Sequence, residues 1–168
     1  MVRACILLLF VAFVSCKGGN KNFESKYENG GDEVYGVKNE DKEMNAAIAE
    51  AIRTWPEFEK VMQAGDTSLQ QFTVKMRFSY EGDNGEHMWL NDLHYKEGQL
   101  MGVLNSDPMY VESVKWGDTL KIQKDSVSDW MYIKNGKLIG GYTIRALYKK
   151  MSKEEQEQFK SEISFGIE

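Results

Sequence analysis

The dipeptide Asn135-Gly136 restricts the fold of this chain more than any other short pattern in it. A two-residue β-turn needs a positive φ at both central positions, which Asn and Gly adopt at low cost. Apolar segments flank the dipeptide on both sides, as in a hairpin. The pattern therefore predicts an antiparallel pair in which residues 131–133 face residues 138–140.

The period of two along this hairpin assigns its side chains to two faces. We expect the second strand to continue to residue 145, which places Trp130 opposite Gly141 and Asp129 opposite Tyr142. Trp130 would then cover the gap that the glycine leaves in the sheet. Asp129 would lie on an otherwise apolar face, where an isolated carboxylate is costly and must find hydrogen-bond donors.

Further strand patterns precede the hairpin. Residues 71–80 alternate between apolar and polar side chains, which indicates a half-buried strand. A polar turn leads into residues 87–96, and strand patterns recur at 99–105 and 118–123. These segments predict a twisted antiparallel sheet of about five to six strands.

Helical patterns lie on either side of the sheet region. Asp41 is a good N-cap for an amphipathic helix that reaches Trp55, and Pro56 is expected to end it and to start a second helix. A capping-box pattern at residues 152–155 predicts a short C-terminal helix. The fold class expected is α+β, with N-terminal helices packed on the antiparallel sheet.

Both cysteines of the chain, Cys5 and Cys16, lie near its N-terminus. The expected folded domain therefore has no disulfide and no thiolate ligand for a metal. The formal net charge is −5, which disfavours nucleic acid as a partner. Glycine-rich phosphate-binding loops are also absent from the sequence, and we expect no cofactor.

The first fifteen residues are typical of an export signal. Arg3 precedes an apolar run over residues 4–14, which is too short to span a bilayer. The run ends before Cys16 in a pattern that resembles the lipobox of bacterial lipoproteins, although Phe13 stands where that pattern favours Leu. We expect Cys16 to carry the lipid; cleavage elsewhere, as in an ordinary secreted protein, is the alternative.

This interpretation divides the chain into three parts: a signal peptide over residues 1–15, a flexible tether over 16–38 and one α+β domain over 39–168. The tether is rich in Gly, Asn, Lys and Glu and shows no apolar period. Two acyl chains on Cys16 would hold the domain at a membrane. The expected location is therefore the bacterial cell envelope, on the periplasmic or outer-surface side.

Several spaced motifs lie at residues 44–58, 86–90, 117–118, 128–131 and 140–145. Together they resemble the domain of unknown function 2314 family, over a family-like core at 41–148. The resemblance implies a small bacterial domain, found alone or beside other modules. It implies no established activity and no catalytic residues, so it supports the fold more than the function.

Two histidines and two carboxylates are the main candidates for chemistry. His87 beside Glu86 could act as a general base or a ligand, although a hydrogen-bonded structural role is the more common case. His94 falls on the opposite face of the same predicted strand, so no metal site is expected. Asp129 could be an acid with a perturbed pKa, but a structural acceptor is the commoner outcome. The polar cluster considered comprises Glu86, His87, Trp89, Asp129 and Tyr142.

The other face of the predicted hairpin combines aromatic rings, hydroxyls and a guanidinium, a composition typical of a protein or peptide contact. Its residues are Trp130, Tyr132, Thr143 and Arg145. A helix covering this face is the alternative. The leading hypothesis is a membrane-tethered, non-catalytic domain that binds a protein or peptide. The alternatives are a small hydrolase-like enzyme or ligand sensor using Glu86, His87 and Asp129, and an immunity-type protein.

Overall fold

The computed structural model describes residues 23–26, 34–37 and 41–167. The helices and strands of these residues confirm the predicted α+β class. In chain order they are β1 (Phe23–Lys26), β2 (Val34–Val37), α1 (Lys42–Gln63), β3 (Gln70–Tyr80), β4 (Asn84–Lys96), β5 (Gln99–Leu104), β6 (Thr119–Lys121), β7 (Val127–Lys134), β8 (Lys137–Gly140), α2 (Tyr142–Lys150) and α3 (Lys153–Glu162).

Strands β3 to β8 form one antiparallel sheet in the order β6-β5-β4-β3-β7-β8. Helix α1 packs on one face of it, where Phe58 is fully buried between the rings of Trp55 and Trp130, at centroid distances of 5.1 Å to each. Burying a side chain of this size contributes about 1.5–3 kcal/mol. The core therefore lies between α1 and the central strands.

Helix α1 begins as predicted, with the carboxylate of Asp41 accepting from the backbone N–H groups of Glu43 and Met44 at 3.0 and 3.1 Å. The expected break at Pro56 is wrong, because one helix continues from Lys42 to Gln63 with the proline inside it. Pro56 is exposed, and the residues on either side of it bury a continuous apolar stripe against the sheet. Tertiary packing thus outweighs the backbone hydrogen bond that the proline removes.

The β7–β8 hairpin has the predicted register over its turn, with Ile133 paired with Leu138 and Met131 paired with Gly140. The predicted continuation to residue 145 is wrong, because β8 ends at Gly140 and α2 begins at Tyr142. Gly140 and Gly141 have φ values of +71° and +60°, which turn the chain out of the sheet. The ring and carbonyl of Trp130 lie where a Cβ on Gly140 would stand.

The N-terminal predictions fall mainly outside the described residues. The signal over 1–15 and Cys16 are among the residues not described. Within the predicted tether, β1 and β2 form a two-stranded antiparallel pair separate from the main sheet. The composition did not indicate this pair, although Val, Tyr and Phe in these strands favour extended backbone. No helix in the described residues is long and apolar enough to cross a bilayer.

The two edges of the main sheet are finished differently. At β8, the segment after α3 runs alongside the strand, with Leu138 N–H donating to the Gly166 carbonyl at 3.0 Å and Gly166 N–H donating to the Gly136 carbonyl at 2.7 Å. At β6, no described segment pairs with the outer side of the strand. The sheet thus has one covered edge and one open edge within the described chain.

Candidate functional site

Asp129 is a structural acceptor in the fold. It is fully buried, and its Oδ1 accepts from Trp130 N–H at 2.8 Å and Tyr142 N–H at 3.1 Å. Its Oδ2 accepts from the N–H and hydroxyl of Thr143 at 2.8 and 2.6 Å. Burial raises the pKa of this carboxyl, while the Thr143 bonds and the Lys75 charge oppose that rise. The carboxylate caps the N-terminus of α2, where Gly141 has no side chain to do so.

Glu86 also serves the backbone. Its Oε1 accepts from Met109 N–H at 2.8 Å, and its Oε2 accepts from Tyr110 and Val111 N–H at 3.0 and 3.2 Å. Three consecutive amides of the loop between β5 and β6 are therefore held by one carboxylate. This role explains why an acidic residue stands at the start of β4 without assigning it a proton-transfer task.

His87 lies on the other side of the sheet from Glu86, because adjacent strand residues point to opposite faces. Its Nδ1 is 2.8 Å from Ser128 Oγ, but Ser128 is only 1 % exposed, so a substrate cannot reach the hydroxyl. The His87 side chain is partly exposed at the surface, and desolvation of its buried part, together with the charges of Lys75 and Arg77, lowers the pKa of His87 to about 4. The imidazole is therefore neutral at pH 7.

The three residues of the enzyme hypothesis do not converge. His87 on β4 and Asp129 on β7 are separated by β3, which places their strands roughly 10 Å apart. The predicted opposite faces for His87 and His94 are wrong, because Asp92, at φ +47°, lies in an irregularity that returns His94 to the face of His87. The two histidines are still roughly 20 Å apart along the strand. No metal-binding group of three or more His, Cys, Asp and Glu exists among the described residues.

The remaining members of the predicted polar cluster pack as structural residues. Trp89 receives the Lys75 ammonium over its ring at 5.3 Å from the centroid. Desolvation lowers the pKa of Lys75, and the charge of Asp129, its neighbour on β7, opposes that change. Tyr142 meets the Trp130 ring edge-on at 5.6 Å. These contacts join β3 to β4 and β7 to α2.

The predicted binding surface is part of the core. Trp130 is 3 % exposed and donates its Nε1–H to the Ala51 carbonyl of α1 at 3.0 Å. Tyr132 and Thr143 are also buried, so the alternative of a covering helix is the correct one. Arg145 is partly buried and donates to the carbonyls of Gly140 and Leu138. The surface was mispredicted because residues 142–145 are helical and the Trp130 face packs on α1.

An open cleft on the helix side of the sheet was not predicted. It has a volume of about 530 Å³ and lies between α1, the β4–β5 turn and the end of β6. Its lining combines aromatic rings, amides and charged groups from these three places. The lining residues are Trp55, Glu59, Gln63, Tyr95, Gly98, Gln99, Leu100, Lys121, Ile122, Gln123 and Lys124.

Two polar contacts connect the sides of this cleft. Gln63 Nε2 donates to Tyr95 Oη at 3.1 Å, and the Lys124 ammonium bonds Glu59 at 2.8 Å. Beneath them, Trp55 is 6 % exposed, and its Nε1–H is buried with no hydrogen-bond partner in the described chain. A buried donor left without an acceptor costs about 1–3 kcal/mol. The Trp55 donor is not accessible from the cleft, which offers a ligand side-chain amides, the Tyr95 hydroxyl and charged groups instead.

One signal for this cleft is present in the sequence. Trp55, Glu59 and Gln63 recur every four residues, so they form one stripe along α1. The predicted break at Pro56 divided this stripe between two helices, so the stripe was not recognised. The position of the β4–β5 turn against that stripe depends on tertiary packing and has no local signal.

The fold and these sites define a small α+β domain with two structural carboxylates, Glu86 and Asp129, and an open cleft. The family model described as "Uncharacterized protein conserved in bacteria (DUF2314)" matches residues 41–167, and the chain belongs to this family. The family match confirms the resemblance found in the sequence.

Two bacterial proteins are similar to the chain over most of its length. The chain is 37% identical over 120 residues to the uncharacterized protein YegJ of Escherichia coli, covering 71% of this chain and 76% of that protein. It is 30% identical over 146 residues to a putative ankyrin repeat protein of Neisseria meningitidis, covering 80% of this chain and 55% of that protein. The chain thus spans about half the length of the second relative. No solved structure matches the chain.

Proposed function

We propose that this protein is a lipid-anchored envelope protein whose folded domain binds a protein or peptide through the cleft beside Trp55, without catalysing a reaction. The observation that carries the binding role is the cleft itself, which combines unfilled space with polar groups from three elements. Binding sites in proteins typically combine a concave shape with a few oriented polar groups.

The state of the enzyme candidates supports this choice over a hydrolase. Both carboxylates, Glu86 and Asp129, already accept hydrogen bonds from several backbone N–H groups inside the fold. Ser128, which contacts His87, is almost fully buried. A catalytic role would need these groups to break the contacts that hold the loop before β6 and the start of α2.

The cleft is tested by site-specific photo-crosslinking of the full-length protein in cells of its own host. A photoreactive residue at Gln99, on the cleft, is expected to give discrete protein adducts. The same residue at Lys149, exposed on α2, is the control and should not give them. Equal adduct patterns at the two positions, or none at either, would reject the cleft as the binding site.

The lipid anchor rests on the pattern before Cys16 and is tested separately. Labelling with a palmitate analogue should mark the wild-type protein and should be lost in the Cys16→Ala variant. The wild type should fractionate with membranes. Unlabelled wild-type protein found in the cytosol with its first fifteen residues intact would contradict the anchor.

A further inference from the structure

The open edge at β6 presents free backbone groups in a regular pattern. Ile122 N–H donates to the Leu100 carbonyl at 2.8 Å and Leu104 N–H donates to the Asp118 carbonyl at 2.9 Å. In an antiparallel pair, alternate residues direct their N–H and C=O groups towards the partner strand. Thr119 and Lys121 therefore direct theirs away from β5, to the side where no described strand pairs.

The cleft lies next to this edge. Lys121 and Ile122 are among its lining residues, so a segment that paired with β6 would run beside the cleft. Side chains alternate between the faces of a strand, and every second residue of such a segment would point towards the helix side and the cleft. The residues between them would lie on the face that carries Thr119 and Lys121.

The positive charge of Lys121 at this edge favours an acidic partner segment. Lys124 is paired with Glu59 across the cleft, whereas Lys121 is exposed and has no ion-pair partner in the described residues. A facing carboxylate would complement Lys121 as a cross-strand pair. Two copies of this chain joined edge to edge would instead bring two Lys121 side chains into one small interface, which disfavours self-pairing.

We propose, building on the binding role above, that an extended acidic peptide adds to β6 as a further strand. Its backbone pairs with Thr119 and Lys121, its acidic residues lie beside Lys121, and its alternate side chains enter the cleft. Strand addition of this kind takes affinity from main-chain bonds and specificity from alternate side chains.

The test measures peptide binding to the full-length protein in detergent micelles by fluorescence polarisation. The probe is a labelled peptide of about six residues that alternates Glu and Val, a typical strand length. Its counterpart alternates Lys and Val, and a third version carries N-methyl groups on the amides that would face β6. The Glu peptide should bind, and the other two should bind at least about tenfold more weakly.

Two variants locate the site. Lys121→Glu should weaken the Glu peptide about tenfold and strengthen the Lys peptide, because attraction becomes repulsion. Lys134→Glu, an exposed strand lysine on β7, is the matched control and should change neither. Thr119→Pro removes one outward N–H at a position where an edge strand tolerates proline, and should weaken binding about fivefold with an unchanged Tm.

The outcomes separate this inference from the binding role. No binding of the Glu peptide, or binding that Lys121→Glu and Thr119→Pro leave unchanged, overturns strand addition. Adducts from Gln99 in cells would then still support a cleft that binds a partner in another way. A dimer in sedimentation that Thr119→Pro abolishes would also overturn the inference, because the edge would then pair with a second copy.

Discussion

The Asp129→Ala variant tests whether the link between β7 and α2 determines the stability of the domain. The substitution leaves the N–H groups of Tyr142 and Thr143 and the hydroxyl of Thr143 without their acceptor in a buried place. Each unsatisfied donor costs about 1 kcal/mol or more, and the lost charge at the helix start adds about 0.3–1 kcal/mol. The variant also removes the desolvation cost of a buried carboxylate, which offsets part of this loss in stability. The free energy of unfolding should fall by about 3–5 kcal/mol.

Urea unfolding followed by tryptophan fluorescence measures this loss. Asp66→Ala is the matched control, because Asp66 is exposed and accepts from the N–H and hydroxyl of Ser68 at 2.9 and 2.7 Å. That change should cost about 1 kcal/mol or less. Hydrogen exchange should show the first-turn amides of α2 opening in the Asp129 variant only. A loss within about 1 kcal/mol of the control, with α2 protection unchanged, would refute the reasoning.

Three further predictions follow from backbone geometry and titration. Gly140→Ala should lower the free energy of unfolding in urea by about 2–4 kcal/mol, because the new Cβ would lie 2.3 Å from the Trp130 carbonyl oxygen. Gly117→Ala is the control: no atom lies within 4 Å of its new Cβ, so its positive φ alone should cost about 1 kcal/mol. Pro56→Ala should raise the free energy of unfolding by about 1–2 kcal/mol, because it restores a helical N–H at an exposed position; an unchanged or lower value would contradict this. His87 should titrate near pH 4 by NMR. Because its folded pKa lies below its unfolded value, its contribution to stability is complete above about pH 6.5 and is lost as the pH falls towards 4; a midpoint near 6.5 would contradict this.

Local sequence signals predicted the elements whose structure is decided locally. The Asn135-Gly136 turn, the alternation in β3 and the caps at Asp41 and Ser152 are all confirmed. Each depends on residues within a few positions of one another, which a single sequence displays directly. The family resemblance also depends on short spaced motifs and is confirmed by the match over residues 41–167.

The errors occur where distant contacts decide the outcome. After Gly140, an apolar alternation favours a longer strand, but two residues with positive φ and the carboxylate of Asp129, thirteen positions from Tyr142, start a helix instead. At Pro56, burial of the flanking turns keeps α1 intact. Because of these two errors, buried residues were predicted to form an exposed binding surface, and the cleft was not predicted.

The covering of β8 by the segment around Gly166 limits how these molecules can associate. Growth of a cross-β ladder requires every subunit to accept a neighbour on both margins. In this domain the β8 edge is already covered by the chain's own C-terminal segment. A strand that adds at β6 therefore leaves no second edge through which further molecules could join the sheet. A variant with Gly166→Pro, which loses the N–H that bonds Gly136, would expose the second margin and is expected to form larger aggregates at high concentration, as light scattering would record.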